Sequence, residues 1–552
     1  LGDIVNAQPA YVKASPFSYN IGANLGKDPY YQEFRQTTDG TIGTRKGTVF
    51  AAANDGMLHA FETDPDNDPY YQTAGITTAV TGDDAFTGTL DTSPAGGEGS
   101  ERWAYIPSIV APGMKALAET PLLFVHKYYT DGTPTVGDVC FGHSTATPCS
   151  AQSNWHTIMV AGLNAGGRGY YALDITDPDN PKGLWEFKGG ALADPATCGL
   201  SDAAIVGYTS DCNLGFTFGT PVIAKRKFDG KWVAFVTSGH NNINPGDGKG
   251  YLYVLDVQTG TILQRIGTGT GCDGVSTTAP CVAGTVEPAG LSKLNVWVDN
   301  ASFDNTGLTA YAGDLQGNLW RFQLDPGEAG YGTAYKLVTL VDGSGTPQPV
   351  TTKPELGEVS NFRVVFVGTG KLLGTSDLNT TQQQTIYAIR DDLTSDPINV
   401  RGGDLVQQTF STLSPITRTT TANPVDFNTN KGWYVDLLDT GERVNVDPVL
   451  QLGTLVIPSN VPTNDACAAG GFGWINFLDF RTGGYVPGAT LNTASNRIAA
   501  SLVVGINVVQ LPGGAVKTIV TTADNQQITT ETPVSPPAIE GKRVSWRELI
   551  VQ

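Results

Sequence analysis

Of the side chains in this 552-residue sequence that could do chemistry, the cysteines are the most informatively spaced. Cys140 and Cys149 flank a loop of Gly, Ser, Thr and Pro, Cys272 and Cys281 flank another at the same spacing, and Cys198 with Cys212 brackets a third. Six cysteines allow about 15 pairings, so sequence alone does not fix the connectivity. Three local pairs inside polar loops favour three staples, each worth roughly 2–3 kcal/mol by loop closure, over zinc ligation, which would ask for Cys-x-x-Cys spacing or clustered histidines. Disulfides in turn imply the periplasm or the cell exterior. Cys467 is left over and reads as a buried free thiol.

The other reactive residues form no catalytic set. There are five histidines, His59, His126, His143, His156 and His240, and no Gly-x-Ser-x-Gly elbow accompanies them. His59 lies inside a strand-like phrase and reads as a packed, hydrogen-bonded histidine; His240, beside Asn241 and Asn242, is the one to examine in a pocket. Asp64-Pro65-Asp66-Asn67-Asp68 puts carboxylates at alternate positions and could hold a cation, but it lacks the turn glycine and distal glutamate of a calcium loop. Leu255-Asp256-Val257-Gln258-Thr259-Gly260 is a phrase shared with propellers that bind pyrroloquinoline quinone. A dehydrogenase of that kind, the enzyme alternative, would be expected to add a vicinal disulfide, and no Cys-Cys pair occurs.

The elements that must carry these loops are signalled by a recurring phrase: a turn rich in Gly, Asn and Asp, then an aromatic and aliphatic strand. Asn54–Phe61, Gly167–Asp174, Gly250–Asp256 and Gly313–Phe322 are clear copies, with weaker ones at Thr385–Ile389 and Gly473–Asp479. Gly and Asn supply the positive φ of tight turns, and β-branched and aromatic residues suit a strand packed between sheets. Hairpins at intervals of roughly 65–110 residues, with hardly any helical periodicity, predict an all-β propeller of about seven irregular blades with long loop insertions and one or two short helices. Strands are expected from Asp3-Ile4-Val5 and Pro9–Val12 onward, and a helix over Ala111–Ala118 behind its proline. Inserted loops are expected at about 64–100, 131–153, 190–213, 268–290 and 397–431, and a closing strand at Arg543–Ile550. The nine tryptophans sit mostly beside strand phrases and should fill the space between blades.

Residues 1–552 thus read as a single propeller module, and a chain opening on Leu1-Gly2-Asp3 reads as the C-terminal part of a longer precursor. With 34 Lys and Arg against 53 Asp and Glu, the formal charge is −19, which repels phosphate backbones and argues against nucleic acid as a ligand. No apolar run approaches the ~18 residues that span a bilayer, so direct membrane insertion is not expected.

An ordered set of stretches resembles the PilY/PilC family found at or near the tips of bacterial type IV pili. They are Gly2–Pro9, Ala53–Phe61, Gly162–Tyr170, Tyr311–Phe322, Gly368–Leu372 and Arg543–Leu549, and they run nearly end to end. The resemblance implies a C-terminal propeller module, without catalysis, that promotes pilus extension, opposes retraction, supports twitching and adheres to host cells or surfaces. It also implies minor pilins and a surface or host receptor as partners, and an extracellular location reached through the periplasm. Family members often carry a calcium loop just before the Tyr-Ala-Gly-Asp strand. Here that region offers Asp299, Asn300, Asp304 and Asn305, with two carboxylates only, so the implied cofactor is a weakly bound calcium at most. The Arg-Gly-Asp motif of some members is interrupted in Arg401-Gly402-Gly403-Asp404, and integrin binding is not implied. The inserted loops, three of them stapled, are expected to form the recognition face.

Overall fold

The computed structural model describes residues 2–20, 26–38, 45–63, 99–119, 125–271, 287–394, 396–463, 470–498, 501–511 and 513–534. Among them the strands form five hydrogen-bonded sheets, two of which are pairs of blades joined at an edge, making seven antiparallel blades. Blade 1 runs Ala10–Val12, Thr48–Ala52, Leu58–Glu62 and Glu101–Tyr105. Blade 2 runs Thr135–Cys140, Trp155–Ala161, Gly169–Asp174 and Lys182–Gly189; blade 3 runs Val222–Arg226, Trp232–Thr237, Tyr251–Asp256 and Ile262–Gly267. Blade 4 is Leu294–Val298, Thr306–Gly313, Asn318–Gln323 and Ala334–Thr339; blade 5 is Glu355–Val359, Phe362–Gly368, Thr385–Asp391 and Gly432–Asp436. Blade 6 is Val449–Gln451, Thr454–Pro462, Gly471–Asp479 and Ser495–Ile498, and blade 7 has three described strands, Val503–Gln510, Val516–Thr522 and Gln527–Glu531.

From blade 1 to blade 6 the first strand of each blade lies beside the first strand of the next, which places those strands around a common axis. Blade 7 reaches back to the start: a Cβ at Gly505 would lie 3.4 Å from Nε2 of Gln8, just ahead of the first strand. The faces between blades are dry. Phe187, Tyr253, Tyr311, Trp433 and Ile475 are fully or almost fully buried, and seven of the nine tryptophans, Trp155, Trp185, Trp232, Trp297, Trp320, Trp433 and Trp474, are buried, so they do fill the space expected of them.

Each recurring phrase turns out to form the third strand of a blade or to lead into it, and residues between that strand and the second, or at the second strand's end, clasp the start of the next blade or the connection leading to it. Asn54 Oδ1 accepts the Tyr129 N–H at 3.1 Å, and the Asn164 N–H donates to the Thr217 carbonyl at 3.1 Å. The Gly239, Asp314 and Thr369 carbonyls accept the N–H groups of Leu291, Val350 and Val444 at 2.9, 3.0 and 2.9 Å. Asn460 Oδ1 accepts the Val503 N–H at 2.8 Å while its Nδ2 donates to the Val503 carbonyl at 2.8 Å. The approach is close enough to dictate residue type: at Gly239 φ is +66°, and a Cβ would stand 1.9 Å from the Phe216 carbonyl oxygen.

Ala111–Ala118 is helical as expected, wound as a 3-10 helix in which the Gly113 N–H bonds back to the Val110 carbonyl. Among the described residues the α-helix is Tyr31–Thr38, whose spacing seats Tyr31 and Phe34 against Trp155. Three expectations need correction. Asp3-Ile4-Val5 is not a strand; it is tied down by Gly2 N–H on Asp55 Oδ2 and by the Asp3 carbonyl accepting the Asn54 N–H. The loops are also shorter than expected in two places. In 131–153, Thr135–Cys140 is the first strand of blade 2, and in 397–431 the strands Val406–Ser414 and Thr417–Thr420 form a ribbon pairing with blade 5 on one side and blade 6 on the other. Residues 64–98, most of 268–290 and the closing strand at 543–550 lie outside the described residues.

Replacing Asn460, which has no exposed surface, by Ala strands the Val503 N–H and carbonyl in a buried seam. The expected loss is about 1–3 kcal/mol for each group left unpaired, read by denaturant unfolding of the full chain; a loss below about 0.5 kcal/mol, the usual scale of a neutral surface change, would contradict the clasp.

Candidate functional site

The loop between the first and second strands of blade 4 is where the sequence places an acidic cation site. Its backbone is set by Asn300, whose carbonyl accepts the N–H groups of Phe303, Asp304 and Asn305, and by Asn305, which adopts φ +52°, a conformation Asn tolerates better than most residues. The four expected ligands do not converge. Asp299 is exposed, Asn300 Oδ1 is used by the Ser302 N–H, and Asn305 Nδ2 donates to the Tyr19 hydroxyl at 3.2 Å and the Ile223 carbonyl at 3.0 Å. Only Asp304 is buried, and its carboxylate faces an ammonium: Lys225 Nζ lies 2.7 Å from Asp304 Oδ1 and 2.7 Å from Asp28 Oδ2. Lys27 Nζ lies 3.5 Å from Asp304 Oδ2 at the rim. Calcium takes six to eight oxygens, and this loop presents one inward carboxylate already paired with lysine, so the residues do not fit that metal. Among the described residues no three His, Cys, Asp or Glu side chains gather as a metal ligand set; the Asp64–Asp68 cluster lies outside them.

Burial sets the two carboxylates apart electrostatically. Burial pushes the Asp28 carboxyl above the usual range, against the pull of Lys225. Burial also acts upward on Asp304, but there the Lys225 ammonium and the Thr306 hydroxyl outweigh it and hold the carboxyl below that range. Lys27, Asp28 and Lys225 were not legible as a site because Asp28 and Lys225 are 197 residues apart. The one local sign is a lysine inside the apolar strand Val222–Arg226.

The disulfides Cys140–Cys149 and Cys198–Cys212 are formed as expected; Cys272, Cys281 and Cys467 lie outside the described residues. The stapled loops do not share one face. Cys149 is in a turn joining the first and second strands of blade 2, whereas Cys198 and Cys212 are in the connection from blade 2 to blade 3. In a four-stranded antiparallel blade those two kinds of connection emerge at opposite ends.

His59 is packed as expected, with Nδ1 2.7 Å from Glu101 Oε1 and Nε2 3.0 Å from Asp55 Oδ2. His240 is not among the residues that line the polar cavity at Glu287, Lys371 and Arg443. It is buried beside Phe218, and neither ring nitrogen has a hydrogen-bond partner. That cavity, of about 230 Å³, is lined by Glu287, Lys371, Gln382, Gln384 and Arg443 among others. Its charges are spent internally: Lys371 Nζ bonds Glu287 Oε1 at 2.6 Å, and Arg443 donates to the carbonyls of Lys371 and Thr380 at 3.2 and 2.9 Å.

Burial first, and then the charges of Lys371 and Lys293, push the His240 imidazole down to about 4. Burial and Lys225 do the same to His143, also to about 4. Between those values and the ordinary ~6.5 these two sites bind more protons in the unfolded chain than in the folded one, so their contribution to stability is full above ~6.5 and is lost as pH falls toward 4. The carboxyls of Asp28 and Asp314, raised by burial, act in the opposite sense. Denaturant unfolding of wild type and His240→Phe at pH 7 and pH 4.5 isolates the histidine: the variant should lose less stability on acidification than wild type, and an identical change in both would show that His240 is not a source of the loss.

The fold and these sites can be set beside known proteins. Residues 1–422 match the family model described as the PilY1 beta-propeller domain. The type IV pilus biogenesis factor PilY1 of Pseudomonas aeruginosa is 30% identical over 533 residues, covering 88% of this chain and 38% of that protein. A PilY1 homolog of Xylella fastidiosa is 27% identical over 571 residues, covering 100% of this chain and 39% of that protein, so the chain spans about two-fifths of the length of these relatives. The crystal structure of the P. aeruginosa PilY1 C-terminal domain superposes with a TM-score of 0.64 at 25% identity, covering 94% of this chain and 99% of that one. With more than three-quarters of its residues matched by the family model and the same fold over 94% of its length, this chain belongs to the PilY1 beta-propeller family.

Proposed function

We propose that this propeller acts outside the cell as the tip-associated part of a type IV pilus, supporting pilus assembly and extension by opposing retraction, and turning over no substrate. The observation that carries the reading is the end-to-end likeness to the PilY1 C-terminal domain, at 25% identity over 94% of the chain. The two described disulfides favour an oxidising compartment. No helix among the described residues is long and apolar enough to cross a membrane. A module that resists a pulling filament needs seams that do not open under load, and every described seam from blade 1 to blade 7 is clasped by a buried or half-buried hydrogen bond close to the axis. A non-enzymatic role agrees with a His240 ring lacking any acid or base partner and with a polar cavity whose Lys371 is already paired. Minor pilins and a surface or host receptor are the partners this role requires, and the connections at the two ends of the blades give two separate surfaces for them.

Deleting the module from the full-length protein should reduce surface piliation, twitching and attachment, and blocking retraction in the same cells should restore pili. Normal pili and adhesion in the deletion strain, with the truncated protein still exported, would contradict the proposal and leave the propeller a passive spacer; reconstitution with pyrroloquinoline quinone followed by dye reduction would point to the enzyme alternative.

A further inference from the structure

The loop at Asp299–Asn305 stands where calcium is expected, and its only buried carboxylate is paired with a lysine. From this geometry we infer that Lys225 is the resident cation of the loop, a covalently attached ammonium in the position a divalent ion would otherwise take, so that the loop holds its shape without calcium.

Three observations carry the inference. Lys225 is on the first strand of blade 3, buried like the two aspartates it bridges, and its ammonium is within hydrogen-bond distance of both, at 2.7 and 2.7 Å. The Trp232 ring lies 5.5 Å from the same nitrogen, a distance at which the ring face attracts a cation. The charge is also balanced locally without a metal: Lys225 and Lys27 stand against Asp28 and Asp304. A divalent ion entering here would have to displace one ammonium and approach another, with only two carboxylates to hold it.

The lysine joins three parts of the chain that are far apart in sequence: the segment before the α-helix, blade 3, and the blade 4 loop. Backbone bonds reinforce the junction, Lys225 N–H on the Asn305 carbonyl at 2.8 Å and Ser18 N–H on the Ser302 carbonyl at 2.8 Å. In a metal-held loop this junction would open when calcium is withdrawn. Here the cation cannot leave, so the seam between blades 3 and 4 is insensitive to the calcium level outside the cell.

Thermal unfolding of the full chain in EDTA and in millimolar calcium tests the inference, with wild type, Lys225→Ala, Asp304→Asn and the Lys225→Ala/Asp304→Asn double variant. Any calcium taken up elsewhere shifts all four alike and cancels in the comparison. The expected result is the same calcium response in wild type and Asp304→Asn, a midpoint several degrees lower for Lys225→Ala in EDTA, and a partial recovery of Lys225→Ala by calcium that the double variant lacks. A wild-type calcium stabilisation that Asp304→Asn abolishes would overturn the inference, because metal and lysine would then share the loop. Failure of calcium to recover Lys225→Ala would overturn it too, since Lys225 would be an ion-pair partner without a cation's place. If Lys225→Ala does not fold, the comparison of wild type with Asp304→Asn decides alone.

Discussion

Near the axis of a propeller the chain must pass from one blade to the next through a region with little water, and every N–H and C=O on that passage needs a partner. The rest of this structure depends on how that demand is met. In blades 1 to 6 the end of the second strand, or the turn that follows it, reaches over and bonds the start of the next blade or the connection leading to it: Asn54 to Tyr129, Asn164 to Thr217, Gly239 to Leu291, Asp314 to Val350, Thr369 to Val444, Asn460 to Val503. That is why the turns are built from Gly, Asn, Asp and Thr. At Gly239 the approach leaves no space for a side chain, at Asn54 and Asn460 the side chain itself supplies the acceptor, and at Asn164, Asp314 and Thr369 the backbone makes the bond. Asp314 shows the same economy inside one turn. Its buried carboxylate accepts the N–H groups of Gln316 and Asn318 and the side chains of Asn318 and Trp320, and burial still pushes its pKa up to about 6.

Buried ion pairs tie the seams as well. Arg265 reaches Asp211 at 2.6 Å, Arg321 reaches Asp391 at 2.6 Å, and Lys225 reaches Asp28 at 2.7 Å, each joining segments that belong to different blades or to a blade and an insertion. A buried ion pair adds little net stability over a well-packed apolar contact, but losing one partner is costly. We read these pairs as fixing which surface packs on which, while the tryptophans and tyrosines between blades supply the apolar burial.

What the sequence made legible follows from range. The recurring phrase is local, so the propeller, the burial of Trp155, Trp320 and Trp433, and the packed His59 could all be read from neighbouring residues. The Cys140–Cys149 and Cys198–Cys212 pairs are local too, at separations of 9 and 14 residues. The ribbon of Val406–Ser414 and Thr417–Thr420 was hidden because its residues are mostly polar and rich in Thr, with no apolar alternation to mark a strand. The helix at Tyr31–Thr38 was hidden because only two apolar side chains mark its face. The place of Lys225 was hidden most deeply: nothing within its own strand says that Asp28 and Asp304 will close around it.

Native-state hydrogen exchange of the full chain tests the central claim, that the clasps close each seam as firmly as the strands they join. The amides of Leu291, Val350, Val444 and Val503 should exchange as slowly as those of the inner strands Val222–Arg226 and Leu294–Val298, opening only with global unfolding. Exchange of those four amides at the rate of the outermost strand Gln527–Glu531, while the inner strands stay protected, would contradict the account and leave the seams held by side-chain packing alone.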